Sequence, residues 1–591
     1  MKLIRCTQLY SDKNMSKKQL SKKSPKKKPQ KSLKPQHKKL TVSQALQQAM
    51  QYHTAGQLQE AETIYRQILQ HDPNHSDALH LLGMIAAQSN DYDTAIELIQ
   101  KAISINNTVP NFYNSLGNVF TNQNLFDKAA TCYQQALSLN PNFAEAHCHL
   151  GSALKNQGLI DEAISHYRCA IGIQPNYLLA HQDLILTLNY AIDSDRAAIF
   201  VEHQRFNEQQ AMPLSALIKP HNADNDDNPL RLKIGYVSAD FRKHAVADFI
   251  ESVLAHHDSE KFEIFCYYNH LQHDDATQRF QQYAHHWRNC VNLSDEALVE
   301  QIKQDHIDIL IDLGGHTADN RILVFARKPA PIQMTYLGYP NTTGLTAIDY
   351  RITDNYLDPE GMSDPLSSEI PLRMPASFFC YHPHENSPPV SPLPAIQKGY
   401  ITFSAFHNHS KLNQDTFALW AKILHAVSYA KLVIQNKSLK SVAIQHALRN
   451  RFTELGIAPE RLILRASVPY SDYLKIYDQI DIALDSYPFN GGATTCDALW
   501  MGIPVMTLVG DRSVSRMGLS ILSTIGLTEL IAYTQEDYVE RAIKLASDLD
   551  HLQALRAGMR DRMQTAPLLD GIRFTRHLEA AYRQMWERRF L

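Results

Sequence analysis

The chain has 591 residues, too many for one hydrophobic core, so two to four domains are expected. Apolar residues make up 44% and charged residues 20%, as in an ordinary globular protein, and no run of 18 apolar residues occurs that could span a bilayer. The net charge of −3 hides an asymmetry: residues 1–40 carry 14 Lys and Arg against the single acid Asp12, and the remainder carries 44 basic and 60 acidic residues. An acidic body excludes a specific nucleic-acid surface outside the tail.

In chain order, the opening MKLIRCTQLYSDKN lacks the apolar core of a secretory signal. Eight cysteines lie scattered with no CxxC pair, which fits a reducing, cytoplasmic setting and predicts neither a disulfide framework nor structural zinc. Residues 1–41 end in the aromatic-free tract SKKQLSKKSPKKKPQKSLKPQHKKL and are predicted to be a disordered basic tail, either a solubilising leader or a polyanion-binding arm.

A repeat follows. Ala61, Ala95, Ala129 and Ala163 are 34 residues apart, as are Gly83, Gly117 and Gly151, and Tyr65, Ile99, Tyr133 and Tyr167 stand four after each alanine. Pro73, Pro141 and Pro175 fall on the same grid, with Asn107 standing in once. This is the tetratricopeptide (TPR) pattern, a helix pair per repeat, over 42–75, 76–109, 110–143 and 144–177. An incomplete fifth unit, LLAHQDLILTLNY, lacks the glycine and reads as a cap, giving an array over 42–210. The stack is an α-solenoid whose groove is expected to take an extended protein or peptide partner, or else to pack on the rest of the chain.

HNADNDDNPLR (221–231) is a polar break. Beyond it, short apolar runs alternate with amphipathic helical stretches: LKIGYVS, FEIFCYY, IDILIDLGG, IQMTYLGYP, then ITFSAF, KLVIQN, RLILRAS, IDIALD and PVMTLV. The alternation predicts parallel sheets in two facing lobes, 230–383 and 384–591, with ligand at the carboxyl ends of the strands in the cleft between them.

Candidate chemistry sits at those ends. In IDIALDSYPFNGGATTCDALWMGIPVMTLVG a buried strand enters a loop of small residues and then a helix starting near Ala493 or Thr494. Free N–H groups and the helix dipole there suit a phosphate, Thr494 and Thr495 add hydroxyls, and Asp497 is placed to accept from a ribose. ITFSAFHNHSKLNQDTFALWAKIL repeats the geometry, with Lys411 beside Asn408, and a lysine aimed at a diphosphate neutralises a leaving group without a metal. LRLKIGYVSADFRKHAVADFI places His244 after the first strand, where a histidine suits proton transfer, and His316 in DLGGHTADNR is a second candidate. No metal constellation is found: the DxD triplets at Asp224–Asp226 and Asp548–Asp550 do not follow buried strands.

The TPR array followed by GYVSADFRKHAVADF, DLGGHTADNRILVFARKPAPIQMTYLGYP, DIALDSYPFNGGATTCDALWMGIPV and LEAAYRQMW resembles the nucleocytoplasmic protein O-GlcNAc transferase family, in its bacterial, SPINDLY-like branch, over roughly residues 42–591. The resemblance implies a GT-B glycosyltransferase of two Rossmann-like lobes and an inverting, metal-independent transfer of N-acetylglucosamine from UDP to Ser or Thr hydroxyls of proteins, with no cofactor beyond the UDP-sugar donor. It maps His244 to the family's proposed base, Lys411 to the β-phosphate and Asn408 to the donor pocket. Thr494, Thr495 and Asp497 fall on phosphate and ribose contacts, and Val468 on a backbone contact to the base. Tyr473 stands where the family has a histidine beside the base, Ala493 where it has a threonine, and His407 where it has an asparagine. These departures keep open a TPR scaffold with weak catalysis, and the resemblance to the SPINDLY group, implicated in fucose transfer, keeps open the same fold with GDP-fucose or UDP-glucose as donor. The oligomeric state, homo-oligomer included, is left open.

Overall fold

The computed structural model describes residues 40–218 and 230–588; the basic tail, most of the 221–231 break and the Asp224–Asp226 triplet lie outside the described residues. Two compact units divide the chain, Met1–Ala146 and His147–Leu591.

In the first unit, helix pairs follow the 34-residue grid: α1 (Val42–Thr54) with α2 (Leu58–His71), α3 (Ser76–Gln88) with α4 (Tyr92–Ile105), and α5 (Pro110–Asn122) with α6 (Phe126–Leu139). Thr41 caps α1 in a reciprocal capping box with Gln44. Ala61, Ala95 and Ala129 are fully buried where the two helices of a pair meet. The glycine grid has a steric cause. A methyl at Gly83 would lie 2.8 Å from Ile99, and one at Gly117 would lie 2.5 Å from the Tyr133 ring. Small residue and large residue are therefore two halves of one packing contact. Gly117→Ala is expected to overpack it by about 1–3 kcal/mol, read as a lower melting midpoint by calorimetry; an unchanged midpoint would mean that the grid is not set by packing.

The unit boundary falls inside α7 (Ala144–Asn156). In the second unit, α8 (Ile160–Ile173) is followed by α9 (Leu178–Leu188) and α10 (Arg196–Phe206). These last helices dock on the first sheet domain. His203 Nε2 and Asn189 Nδ2 bond the Tyr339 hydroxyl at 2.8 and 2.9 Å, and Gln182 donates to Asn320 at 3.0 Å. Gly344, at φ +79°, lies under the His203 backbone where no side chain fits.

Two parallel sheets follow. The first holds β1 (Leu232–Ser238), β2 (Phe262–Tyr268), β3 (His286–Asn289), β4 (Ile309–Asp312), β5 (Ile332–Thr335), β6 (Tyr350–Asp354) and β7 (Ile370–Met374) in the order β3-β2-β1-β4-β5-β6-β7. The second holds β8 (Thr402–Ala405), β9 (Lys431–Gln435), β10 (Leu462–Arg465), β11 (Ile482–Leu484), β12 (Val505–Leu508) and β13 (Ile531–Ala532) in the order β10-β9-β8-β11-β12-β13. The central strands β4, β5, β8 and β12 are buried at every residue, as parallel strands covered on both faces must be. The strand order reverses between β1 and β4 and between β8 and β11, so each sheet has a crevice there.

The second lobe, expected to run from 384 to the end, differs in its last helix. Gly571–Arg588 packs on the first lobe: Tyr582 and Tyr236 hydroxyls are 3.0 Å apart, and buried Glu579 bonds His257 Nδ1 at 3.0 Å and accepts the Asp258 N–H at 2.8 Å. Besides Arg576 on its own helix, this nearly dry carboxylate takes its partners from the first lobe.

Candidate active site

The loops leaving β8 and β11 are neighbours because their strands are paired. The first contains Asn408, which caps the short turn His409–Lys411 and accepts the Lys411 N–H at 2.9 Å. The second runs through Pro488, Phe489, Asn490, Gly491 and Gly492 into the helix Ala493–Trp500. Its Gly492 cap supplies no side-chain acceptor, so the first N–H groups of the helix have none from their own cap.

Lys411 crosses from one loop to the other. Its Nζ donates to the Asn490 carbonyl at 2.7 Å and lies 4.1 Å from the centroid of the Phe489 ring. Burial pushes its pKa down to about 8, opposed by the charge of Asp485. Asp485, at the end of β11, is fully buried and accepts from Gly491 N–H at 2.7 Å and from Thr507 at 2.8 Å; burial raises its pKa to about 6. That carboxylate fixes the loop and supplies Lys411 with its counter-charge.

A methyl built on Gly491 would touch Thr495 Oγ1, stand 2.8 Å from Thr494 Oγ1 and 3.4 Å from His407 Cε1. Gly491, both threonines and His407 thus line one spot, and Gly491 directly follows Asn490, whose carbonyl holds Lys411. Thr495 Oγ1 and His407 Nδ1 are buried without a hydrogen-bond partner. Burial, with Lys411 adding to it, pushes His407 down to about 3, and its Nε2 faces the Leu484 carbonyl at 3.1 Å. An ammonium, a helix N-terminus and an unsatisfied buried hydroxyl beside a glycine that leaves no room for a side chain are the elements of an anion cradle.

Asp497, expected to accept from a ribose, already has two hydroxyl partners. It is buried, its Oδ1 accepts from the Tyr381 and Tyr470 hydroxyls at 2.8 and 2.9 Å, and burial pushes its pKa up to about 6. Tyr470 and Tyr473 lie on the helix Tyr470–Ile476, the Tyr473 hydroxyl is 2.6 Å from that of Tyr477, and its ring packs on Phe406. Val468 is exposed in the preceding loop, after β10. Tyr381 comes from the crossing between lobes, where Phe249 of the first lobe packs on Phe379 and Tyr381, and Gly492 faces Phe379.

On the first lobe, His244 follows β1 and precedes the helix Ala247–Ala255. Its Nδ1 accepts the Val246 N–H at 3.2 Å and stands 3.4 Å from Asp240. Burial lowers its pKa, opposed by Asp240, and the Val246 N–H aimed at Nδ1 favours the neutral tautomer with its proton on Nε2. His316 is not brought to the site. It is 2% exposed, its Nε2 donates to the Thr343 carbonyl at 2.7 Å, it packs on Phe206 and Tyr339, and burial pushes it down to about 3. It is a docking residue for α10.

Among the described residues, no three or more His, Cys, Asp or Glu are grouped to hold a metal ion, and no helix is long and apolar enough to cross a membrane. Asp548 caps the helix Leu549–Gln564. Sequence reasoning missed Phe489, Asn490 and Tyr381. The first two lie inside the loop it singled out, but nothing marks a backbone carbonyl or a lone ring as the lysine's partner.

The profile described as "Glycosyl transferase family 41" matches residues 181–387 and 394–578, and tetratricopeptide profiles match 52–117, 117–158 and 144–177. A Petunia hybrida protein whose name reads "Probable UDP-N-acetylglucosamine--peptide N-acetylglucosaminyltransferase SPINDLY" is 37% identical over 69% of this chain and 44% of its own length. An Oryza sativa protein of the same name is 38% identical with the same coverages. The chain therefore spans less than half the length of these curated relatives. A solved O-GlcNAc transferase variant from Thermobaculum terrenum superposes with a TM-score of 0.78 at 33% identity, covering 93% of this chain and 98% of that one.

Proposed function

The chain belongs to glycosyl transferase family 41, and from that premise we propose that it transfers N-acetylglucosamine from UDP to Ser or Thr hydroxyls of proteins, with inversion. The observation that carries the reading is Lys411, whose Nζ is held against the loop that begins the helix Ala493–Trp500. In the reaction the acceptor hydroxyl oxygen bonds the anomeric carbon and gives up its proton to a diphosphate oxygen or to water, and the bond from that carbon to the diphosphate breaks on the opposite face. The electron pair goes to the β-phosphate, where Lys411, the helix N–H groups and the hydroxyls of Thr494 and Thr495 meet the charge. Such preorganised stabilisation is usually the largest catalytic contribution. A lysine in this position supplies positive charge at the leaving group, which supports a metal-independent reaction.

Asn408, Val468 and Tyr473 line the same strand ends and suit the nucleoside side of the donor. Asp497, bonded by Tyr381 and Tyr470, shapes that side of the pocket. His244, neutral and presenting Nε2–H, suits orientation of the acceptor rather than removal of its proton. The acceptor protein would be delivered by the repeat array, and the protein is read as cytoplasmic. The UDP-N-acetylglucosamine named for the relatives supports this donor over GDP-fucose or UDP-glucose.

The test is transfer of radiolabelled sugar from UDP-N-acetylglucosamine to protein, compared with the other two donors; incorporation only from another nucleotide sugar would overturn the assignment. The pH dependence adds a check. Burial holds free Lys411 at a pKa of about 8, so kcat/KM should fall as pH rises through that value, because the neutral amine no longer pairs with diphosphate. A bound diphosphate favours the charged form, so kcat should persist to higher pH. A kcat/KM that stays flat into the ordinary lysine range would contradict this role.

A further inference from the structure

Lys411 is flexible by nature, with four rotatable bonds, and its own loops are held from outside by the end of the repeat array. Tyr190 follows α9 in the turn that leaves the repeats. Its ring stacks on Phe489, with centroids 4.9 Å apart and planes 20° from parallel. This is the ring over which Lys411 Nζ lies at 4.1 Å. The Tyr190 hydroxyl is directed at Ser410, the residue before Lys411. The next carbonyl, of Ala191, accepts from Arg512 at 2.9 Å, which ties the turn to the loop after β12. Gly158, between α7 and α8, packs against His409. His409, Ser410 and the ring beneath Lys411 are thus all touched by the repeat segment. Phe489 also precedes Asn490, whose carbonyl takes the lysine's hydrogen bond, so both contacts of the ammonium lie on one short stretch of this loop.

The geometry points to Tyr190 as a positioning residue that aims Lys411 by clamping Phe489 and Ser410. The exit of the repeats is thereby part of the donor site. The effect on turnover rests on the reading of Lys411 as the leaving-group cation; the clamp itself does not.

The test uses the full chain with Tyr190→Leu, Tyr190→Phe and Lys411→Ala, and two readouts. One is the rate at which acetic anhydride acylates Lys411 at neutral pH, followed by peptide mass spectrometry. The other is kcat and KM for UDP-N-acetylglucosamine with a Ser/Thr-rich acceptor peptide. Tyr190→Leu should be acylated about tenfold faster and lose about tenfold in kcat with little change in KM, as misplacement of a reacting group does. Tyr190→Phe keeps the ring and should stay within about threefold of the parent in both, a rescue that bulk destabilisation would not give. Should Tyr190→Leu fail to fold, Phe489→Leu is expected to expose Lys411 in the same way. A parent-like acylation rate in Tyr190→Leu, or Tyr190→Phe as exposed as Tyr190→Leu, overturns the proposal. If instead acylation responds as expected while Lys411→Ala keeps its turnover, the clamp stands and the leaving-group role falls.

Discussion

Lys411→Ala should lower kcat by about 10²–10³, the effect of removing one preorganised transition-state donor. The size follows from what surrounds the ammonium. It is desolvated, it touches the Phe489 ring and the Asn490 carbonyl, and its counter-charge Asp485 is committed to Gly491 and Thr507. The loss should fall mainly on kcat, because charge on the departing oxygen grows as the bond breaks. Asp485 would be left buried without its cation, so some loss of stability should accompany the loss of rate. Single-turnover transfer of labelled sugar measures the chemical step directly. A variant that keeps near-parental turnover would show that the departing diphosphate is stabilised elsewhere.

Gly491→Val should cut kcat/KM by at least about 10², since it removes more than one donor from the same cradle. The new β-carbon would press on Thr495 Oγ1 and lie 2.8 Å from Thr494 Oγ1, so both hydroxyls must turn away from the orientation proposed to meet a phosphate. The Gly491 N–H still bonds Asp485, so the loop keeps its anchor and the loss should appear first as weaker UDP binding. Calorimetry with UDP reads this; parental affinity would place the phosphates away from Gly491.

What the sequence made legible was whatever repeats or is local. The 34-residue spacing reflects one contact used repeatedly, a glycine against Ile99, Tyr133 or Tyr167, and this yields the helix pairs. The two loops proposed to hold the donor were readable because a buried strand, small or polar residues and a helix start within about twenty positions of one another. Pairings across long separations were not readable. Tyr381 reaches Asp497 over 116 residues, and His257 reaches Glu579 over 322, which returns the last helix to the first lobe. Four strands were missed for a different reason. In β6, YRITD hides a buried ion pair, Arg351 with Asp358, behind an apparently polar string; β3 and β7 are half-exposed edge strands; and β13 has two residues. His316 looked functional because it follows β4 beside two glycines, yet its side chain turns inward to Phe206. The direction of a side chain after a strand is decided by tertiary packing, here by α10.

The arrangement as a whole makes one demand: binding of the donor must depend on its diphosphate more than on its nucleoside. Calorimetric titration of the full chain with UDP and with uridine tests this most directly. Two charge-assisted contacts, from Lys411 and from the helix N-terminus with its threonines, should make UDP bind at least about 10²-fold more tightly than uridine. Equal affinities for the two, or no binding of UDP at all, would contradict the assignment of the cradle.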